Sequence, residues 1–174
     1  ISGDLGPART LQLSIKHFLL WRSFIQSDSD YLLVLEDDAM IYRDRIKDLP
    51  RLWGLLGANQ AAAEFIMVGA GYSFSELRAE RAVTETSEIG IHAAVRPFTN
   101  TASAYLINRE TANRFVTSIS LRPRKLNVNA DFLITLLLNE IGSSLQARGV
   151  QCLHFLPPIF DNASLFGRYK SSVS

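Results

Sequence analysis

A chain of 174 residues, 47% hydrophobic and 20% charged, is long enough to bury a core without staples, and its composition is not that of a disordered segment. The net charge of +1 comes from acids and bases that are interleaved, without the clustered Lys and Arg that follow a nucleic acid backbone, so no nucleic-acid partner is expected. The single cysteine, Cys152, excludes an internal disulfide framework and suits a reducing, cytoplasmic compartment; no apolar run reaches the roughly 18 to 20 residues of a transmembrane segment.

Residues 1 to 7, with Gly3, Gly6 and Pro7, read as loop. From Ala8 to Gln26, Leu11, Ile15, Phe18, Trp21 and Ile25 recur at spacings of three and four, which predicts an amphipathic helix packed on a sheet. Leu19, Leu20 and Phe24 widen its stripe. His17 lies within it, as either a hydrogen-bonded core residue or a ligand. A polar turn, Ser27 to Asp30, leads into Tyr31-Leu32-Leu33-Val34-Leu35, which runs straight into Glu36-Asp37-Asp38. That is the pattern of a buried parallel strand delivering carboxylates to its C-terminal end, where open α/β sheets place their sites. Adjacent carboxylates repel unless a cation neutralises them, and an all-oxygen set suits a hard divalent ion, Mn²⁺ or Mg²⁺. An acidic turn is the plainer alternative.

A helix is expected from about Arg45 to Leu56, with Ile46, Leu49, Leu52 and Trp53 inward; Pro50, tolerated only near a helix start, moves that start toward Leu49. Phe65-Ile66-Met67-Val68 is a second apolar strand. It ends in Gly69-Ala70-Gly71, glycines that admit a tight turn or the close approach of a ligand, without the spacing of a dinucleotide or Walker loop. Ser73 to Glu88 reads as a loop near the site, Ile89 to Phe98 as extended chain and Thr101 to Ile107 as a strand. Asn108 should cap a helix to about Ile119 with Ala112, Phe115, Val116 and Ile119 inward. Arg122-Pro123-Arg124-Lys125 is a basic loop, for solubility or for phosphate.

Asn129 can cap a helix from Ala130 to Glu140 with Phe132, Leu133, Leu136 and Leu137 inward. That puts Asp131 in the first turn, where the helix dipole favours a carboxylate. Gly149 to Leu156 reads as a strand stopped by Pro157-Pro158, and His154 near its end is a candidate metal ligand. The tail from Asp161 is polar; its Arg168 and Lys170 suit a phosphate group or are simply mobile. No repeat or internal boundary appears, so residues 1–174 are expected to form a single α/β domain.

The order of these pieces carries a resemblance. Gly3-Asp4-Leu5-Gly6, then His17 with Trp21, then Leu33-Val34-Leu35-Glu36-Asp37-Asp38-Ala39, then Thr101-Ala102-Ser103-Ala104-Tyr105-Leu106-Ile107-Asn108-Arg109-Glu110-Thr111-Ala112, and finally Asp131-Phe132-Leu133 resemble the motifs of the glycosyltransferase family of lipooligosaccharide biosynthesis, related to the collagen galactosyltransferases. Lys16 stands where that family usually has Ser, and the strand and helix that usually precede the Gly-Glu-x-Gly turn have no counterpart.

The resemblance implies a Rossmann-like GT-A fold lacking the first strand-helix unit. It implies transfer of a sugar, galactose for example, with inversion, from a nucleotide diphosphate donor (a UDP-sugar) to a glycan acceptor such as lipooligosaccharide. A lipid-borne acceptor would add peripheral contact at the inner face of the membrane. Asp38 with Asp37 or Glu36 would hold Mn²⁺ or Mg²⁺, His154 would complete the metal shell, and Asp131 would be the base. Gly69 and Gly71 would leave room for the donor sugar, with His17 and Arg168 also on the donor. Two alternatives remain at this point: a catalytically silent relative that binds or scaffolds glycans, and another metal-dependent α/β hydrolase.

Overall fold

A computed structural model describes residues 7–41, 43–58, 64–70, 90–93, 99, 101–144 and 152–163. These form a mixed α/β structure with four helices, α1 (Pro7–Phe24), α2 (Leu49–Ala58), α3 (Arg109–Leu121) and α4 (Ala130–Ser144). The strands are β1 (Tyr31–Leu35), β2 (Ala39–Ile41), β3 (Phe65–Met67), β4 (Gly90–Ala93), β5 (Ala104–Asn108), β6 (Cys152–Leu156) and β7 (Phe160–Asn162), and short 3-10 turns cover Arg43–Asp48 and Pro123–Asn127. Five strands make one sheet in the order β1-β5-β3-β6-β4, and β2 pairs with β7 in a separate ribbon. Among the described strands of this sheet only β3 and β6 are parallel neighbours; β1 and β3 both run antiparallel to β5, which lies between them, and β4 runs antiparallel to β6.

Period-two alternation sorts the strands between two cores. Val34, Phe65, Met67, Tyr105 and Ile107 face one side, where they meet Trp21 and Phe24 of α1, Phe115 and Ile119 of α3, and Leu133, Ile134, Leu137 and Leu138 of α4. Ile66, Val68, Ala104, Leu106, Leu153 and Phe155 face the other, under Leu52 of α2 and beside Phe160 of the ribbon. Each large side chain buried in this way contributes about 1.5–3 kcal/mol. The centre of the first core is aromatic, with Phe65 stacked on Tyr105 at 5.0 Å and the edge of Trp21 against Phe115 at 5.1 Å.

Several expectations hold. Asn108 caps α3, its side chain accepting the Thr111 N–H at 2.8 Å, and α2 starts at Leu49, which puts Pro50 in its first turn. The Asn129 backbone carbonyl accepts the Leu133 N–H at 2.8 Å and opens α4.

Others are corrected. β1 is not a central parallel strand: it pairs antiparallel with β5 and is an edge of the sheet among the described residues. Its unbroken apolar run arises because both faces are covered, which says nothing about strand direction. On α4 the inward line is Leu133, Ile134, Leu137, Leu138 and Ile141, while Phe132 is 68% exposed and Leu136 is also exposed. On α1 the buried line is Ser14, His17, Trp21 and Phe24, and Leu19 and Leu20 face out. Leu49 and Leu52 pack inward as expected, whereas Ile46 and Trp53 are exposed. Ala39–Ile41 and Phe160–Asn162, expected as a strand exit and a polar tail, form the ribbon. No helix among the described residues is long and apolar enough to cross a membrane.

Candidate active site

The antiparallel pairing of β1 with β5 sets Leu35 opposite Ala104, so the acids that follow β1 meet the residues that precede β5. The Glu36 N–H donates to the Ser103 carbonyl at 2.8 Å. One residue earlier, the Ala102 N–H donates to the carboxylate of Asp131 in the first turn of α4. Segment 101–103 is tied down from the opposite side as well: Thr101 Oγ1 bonds the Ala70 carbonyl at 3.1 Å and Ser103 Oγ at 2.8 Å. Thr99 Oγ1 donates to the Asp131 carbonyl at 2.7 Å, which anchors the same turn.

His17 reaches this edge from α1. Its Nε2 lies 3.2 Å from Glu36 Oε1, and its Nδ1 lies 2.8 Å from the Tyr105 hydroxyl, which also accepts the Trp21 Nε1–H at 3.0 Å. The imidazole stacks on the Tyr105 ring with centroids 5.7 Å apart. Burial lifts the Tyr105 phenol well above its usual range, against the Trp21 N–H and with the Glu36 charge adding, so it stays protonated.

Asp131 is also pushed up. Burial is the main cause and the negative charge of Glu36 adds, while the Ala102 N–H pulls the other way. Two carboxylates therefore share one corner of the molecule, one held by a histidine and the other by a backbone N–H, and one has raised proton affinity. That arrangement is suited to accepting a proton from a bound hydroxyl.

The other expected site residues separate by position. Glu36 and Ala39 close a turn through an N–H to carbonyl bond of 3.1 Å, with Asp37 and Asp38 at its corners. Asp37 is exposed, and Asp38 is 8% exposed, with its carbonyl accepting the Ala163 N–H beyond β7. Among the described residues no group of three His, Cys, Asp or Glu side chains is arranged to hold a metal ion. Mg²⁺ is usually held by one or two carboxylates plus substrate phosphates and water rather than by an all-protein cage.

His154 is buried in the middle of β6, beside Met67 of β3 and three strands from β1, a separation of roughly 14 Å. The structure does not bring it beside Glu36. Gly69 does come to the site edge, but a Cβ there would lie 2.8 Å from Ser103 Oγ and 3.0 Å from Ala104 Cβ, so its missing side chain makes room for the start of β5 rather than for a sugar. Gly71 and Arg168 lie outside the described residues.

In the sequence Trp21 belongs to the α1 stripe and Tyr105 to a motif segment, and neither carried an assigned site role. The available signal was a hydroxyl in the middle of an otherwise apolar strand, which needs a partner when buried. No family model matches the chain. No curated protein matches it either.

Proposed function

We propose that the protein transfers a sugar from a nucleotide diphosphate donor to a glycan hydroxyl at the edge formed by Glu36, Ala102–Ser103 and Asp131. The carrying observation is convergence: His17 and Trp21, Glu36 and Tyr105, from three separate segments of the glycosyltransferase resemblance, meet in one hydrogen-bonded cluster, and Asp131, from a fourth, is tied to the adjoining Ala102 N–H and feels the charge of Glu36. Packing alone requires buried apolar residues at these positions. It does not require two carboxylates and a histidine to meet where strand ends open.

In this reading Asp131 is the base. The Ala102 N–H fixes one carboxylate oxygen, and the other takes the proton from the acceptor hydroxyl as that oxygen bonds to the anomeric carbon and the diphosphate departs with its bonding pair. Raised proton affinity suits this task, because a base is most effective when its pKa approaches the working pH. Asp37 and Asp38 would hold a divalent ion, which when bound would offset the charge growing on the diphosphate. A Rossmann-like GT-A arrangement is part of this reading and rests on the resemblance, since three of the four described pairings of the five-stranded sheet are antiparallel. A cytoplasmic location, with peripheral contact where the acceptor is lipid-borne, belongs to the same reading.

The test is calorimetric titration of the folded chain with UDP, UDP-galactose and UDP-glucose, each with and without Mn²⁺. Metal-dependent binding of a UDP species, together with transfer to an offered glycan, is the expected result. Binding without transfer to any glycan would point to the silent relative, and no binding of any nucleotide would remove the donor site.

A further inference from the structure

The cluster around Tyr105 has a direction. An indole N–H can only donate, so the Tyr105 oxygen must accept from Trp21 at 3.0 Å. That leaves the tyrosine hydrogen to be given away, and the acceptor within reach is His17 Nδ1 at 2.8 Å. A neutral imidazole that accepts at Nδ1 carries its proton on Nε2, where Glu36 Oε1 lies 3.2 Å away. Each proton is used once, and the chain ends on a carboxylate. With the imidazole proton on Nδ1 instead, the tyrosine hydrogen has no use in the cluster and Nε2 presents a lone pair to the carboxylate. Tyr105 is fully buried and His17 nearly so, which makes such a mismatch costly.

We propose that Trp21, Tyr105 and His17 are positioning residues, a one-directional chain of hydrogen bonds that locks the proton of His17 on Nε2 and so pins the Glu36 carboxylate beside Asp131. Why the chain matters rests on the sugar-transfer reading; the direction of the chain does not. Glu36 keeps 19% of its side chain exposed, so its carboxylate is both held from within and open to a substrate hydroxyl. Without the chain it would rotate, and with it the negative charge that raises the proton affinity of Asp131. The line of Ser14, His17, Trp21 and Phe24 along α1 thereby acquires a second purpose: the same helix face that fills the core carries a donor to the site. Neither Trp21 nor Tyr105 reaches the reacting atoms in this scheme.

Two measurements test this, one of them independent of activity. Nitrogen-15 NMR of the imidazole of His17 in the whole chain should show Nε2 carrying a proton and Nδ1 shifted as a hydrogen-bond acceptor. A proton on Nδ1, or on both nitrogens at neutral pH, would overturn the assigned direction. The second measurement compares His17→Gln with His17→Phe. Glutamine can place an N–H near the position of Nε2 but loses the ring, whereas phenylalanine keeps the ring stacked on Tyr105 and offers no donor. A positioning role requires the Gln variant to retain more kcat than the Phe variant, with the donor KM little changed in both. A packing role requires the reverse order. Tyr105→Phe, which keeps its ring against Phe65, should lower kcat by about 10- to 100-fold, the usual cost of removing an outer-shell partner. If the wild-type chain transfers no sugar, the transfer reading fails, and the NMR result alone decides the direction of the chain.

Discussion

The Asp131 carboxylate and the Glu36 backbone are fixed to consecutive residues: Ala102 donates its N–H to the first, and Ser103 accepts the N–H of the second. Two acids 95 positions apart in the chain are thus referenced to one dipeptide just before β5, one through its backbone and the other through its carboxylate.

Asp131→Asn should separate function from stability. The amide oxygen can still accept the Ala102 N–H, so the start of α4 keeps its tie. The substitution also removes a carboxylate that is ionised against burial and against the charge of Glu36. A group whose folded pKa is raised favours folding at low pH and loses that contribution as pH rises through the folded value. The variant is therefore expected to be as stable as wild type or more so at neutral pH. The gap should close as pH falls through the raised value toward the ordinary 3.8 of an aspartate. Transfer should drop by roughly 10²- to 10⁴-fold, the usual contribution of a general base. Thermal melts at several pH values check the first half and initial rates the second; full transfer in the variant would remove Asp131 as base.

Gly69→Ala should be destabilising although the substitution is small and lies at a strand end. Its Cβ would sit 2.8 Å from Ser103 Oγ and 3.0 Å from Ala104 Cβ, and forcing atoms into such a place costs about 1–3 kcal/mol. Ser103→Ala removes the nearer obstacle, so the two changes together should cost less than their sum, by about 0.5 kcal/mol or more, as expected of residues in contact. Denaturant unfolding of the two single variants and the double variant gives the coupling directly, and strict additivity would mean that the chain moves away instead.

What could be read from the sequence follows the strength of each local signal. Strand and helix positions were clear because Tyr31–Leu35, Phe65–Val68 and the 109–121 segment each carry one unambiguous period or run bounded by turn residues. Strand direction was not clear, since a run covered on both faces looks the same whether its neighbour is parallel or antiparallel. The face of α4 was expected with Phe132 and Leu136 inward where Ile134 and Leu138 are buried, because Phe132 to Leu138 is apolar nearly all round and no single stripe stands out. The ribbon of Ala39–Ile41 with Phe160–Asn162 rests on pairing between segments more than 100 residues apart, and three-residue strands leave almost no period. The candidate site residues Glu36, His17 and Asp131 stand in the resembling motifs. Their connection through Tyr105 was not, because a hydrogen-bonded core tyrosine and a packing tyrosine share the same sequence pattern.

The face of α4 gives a prediction that contrasts adjacent residues. Leu133 is fully buried while Phe132 is largely exposed. Leu133→Ala should cost about 2–5 kcal/mol, and Phe132→Ala should stay within about 0.5 kcal/mol. Equal losses in urea unfolding, or a larger loss for Phe132, would return the helix to the face expected from its sequence.

The turn after β1 supplies the last prediction, which concerns the metal. Asp37 is exposed at the corner of the Glu36–Ala39 turn, so Asp37→Asn removes a charge without opening the core, and the melting temperature should stay within about 1 °C of wild type because surface changes cost little. If the turn holds a divalent ion against the donor's diphosphate, the same variant should bind UDP in the presence of Mn²⁺ about tenfold more weakly or worse, while binding in the absence of metal is unchanged or slightly tighter. Loss of a carboxylate from a hard-cation site acts only through the ion, because the nucleotide itself is anionic and would be repelled by Asp37. The sign therefore discriminates: if Asp37 only repels the nucleotide, the Asn variant will bind UDP more tightly with or without Mn²⁺, and if it holds the ion, binding will weaken with Mn²⁺ alone. Asp38→Asn, at the buried corner, should weaken the Mn²⁺-dependent arm in the same direction. Calorimetry on both variants with and without metal distinguishes an acidic turn that holds an ion from one that merely ends a strand.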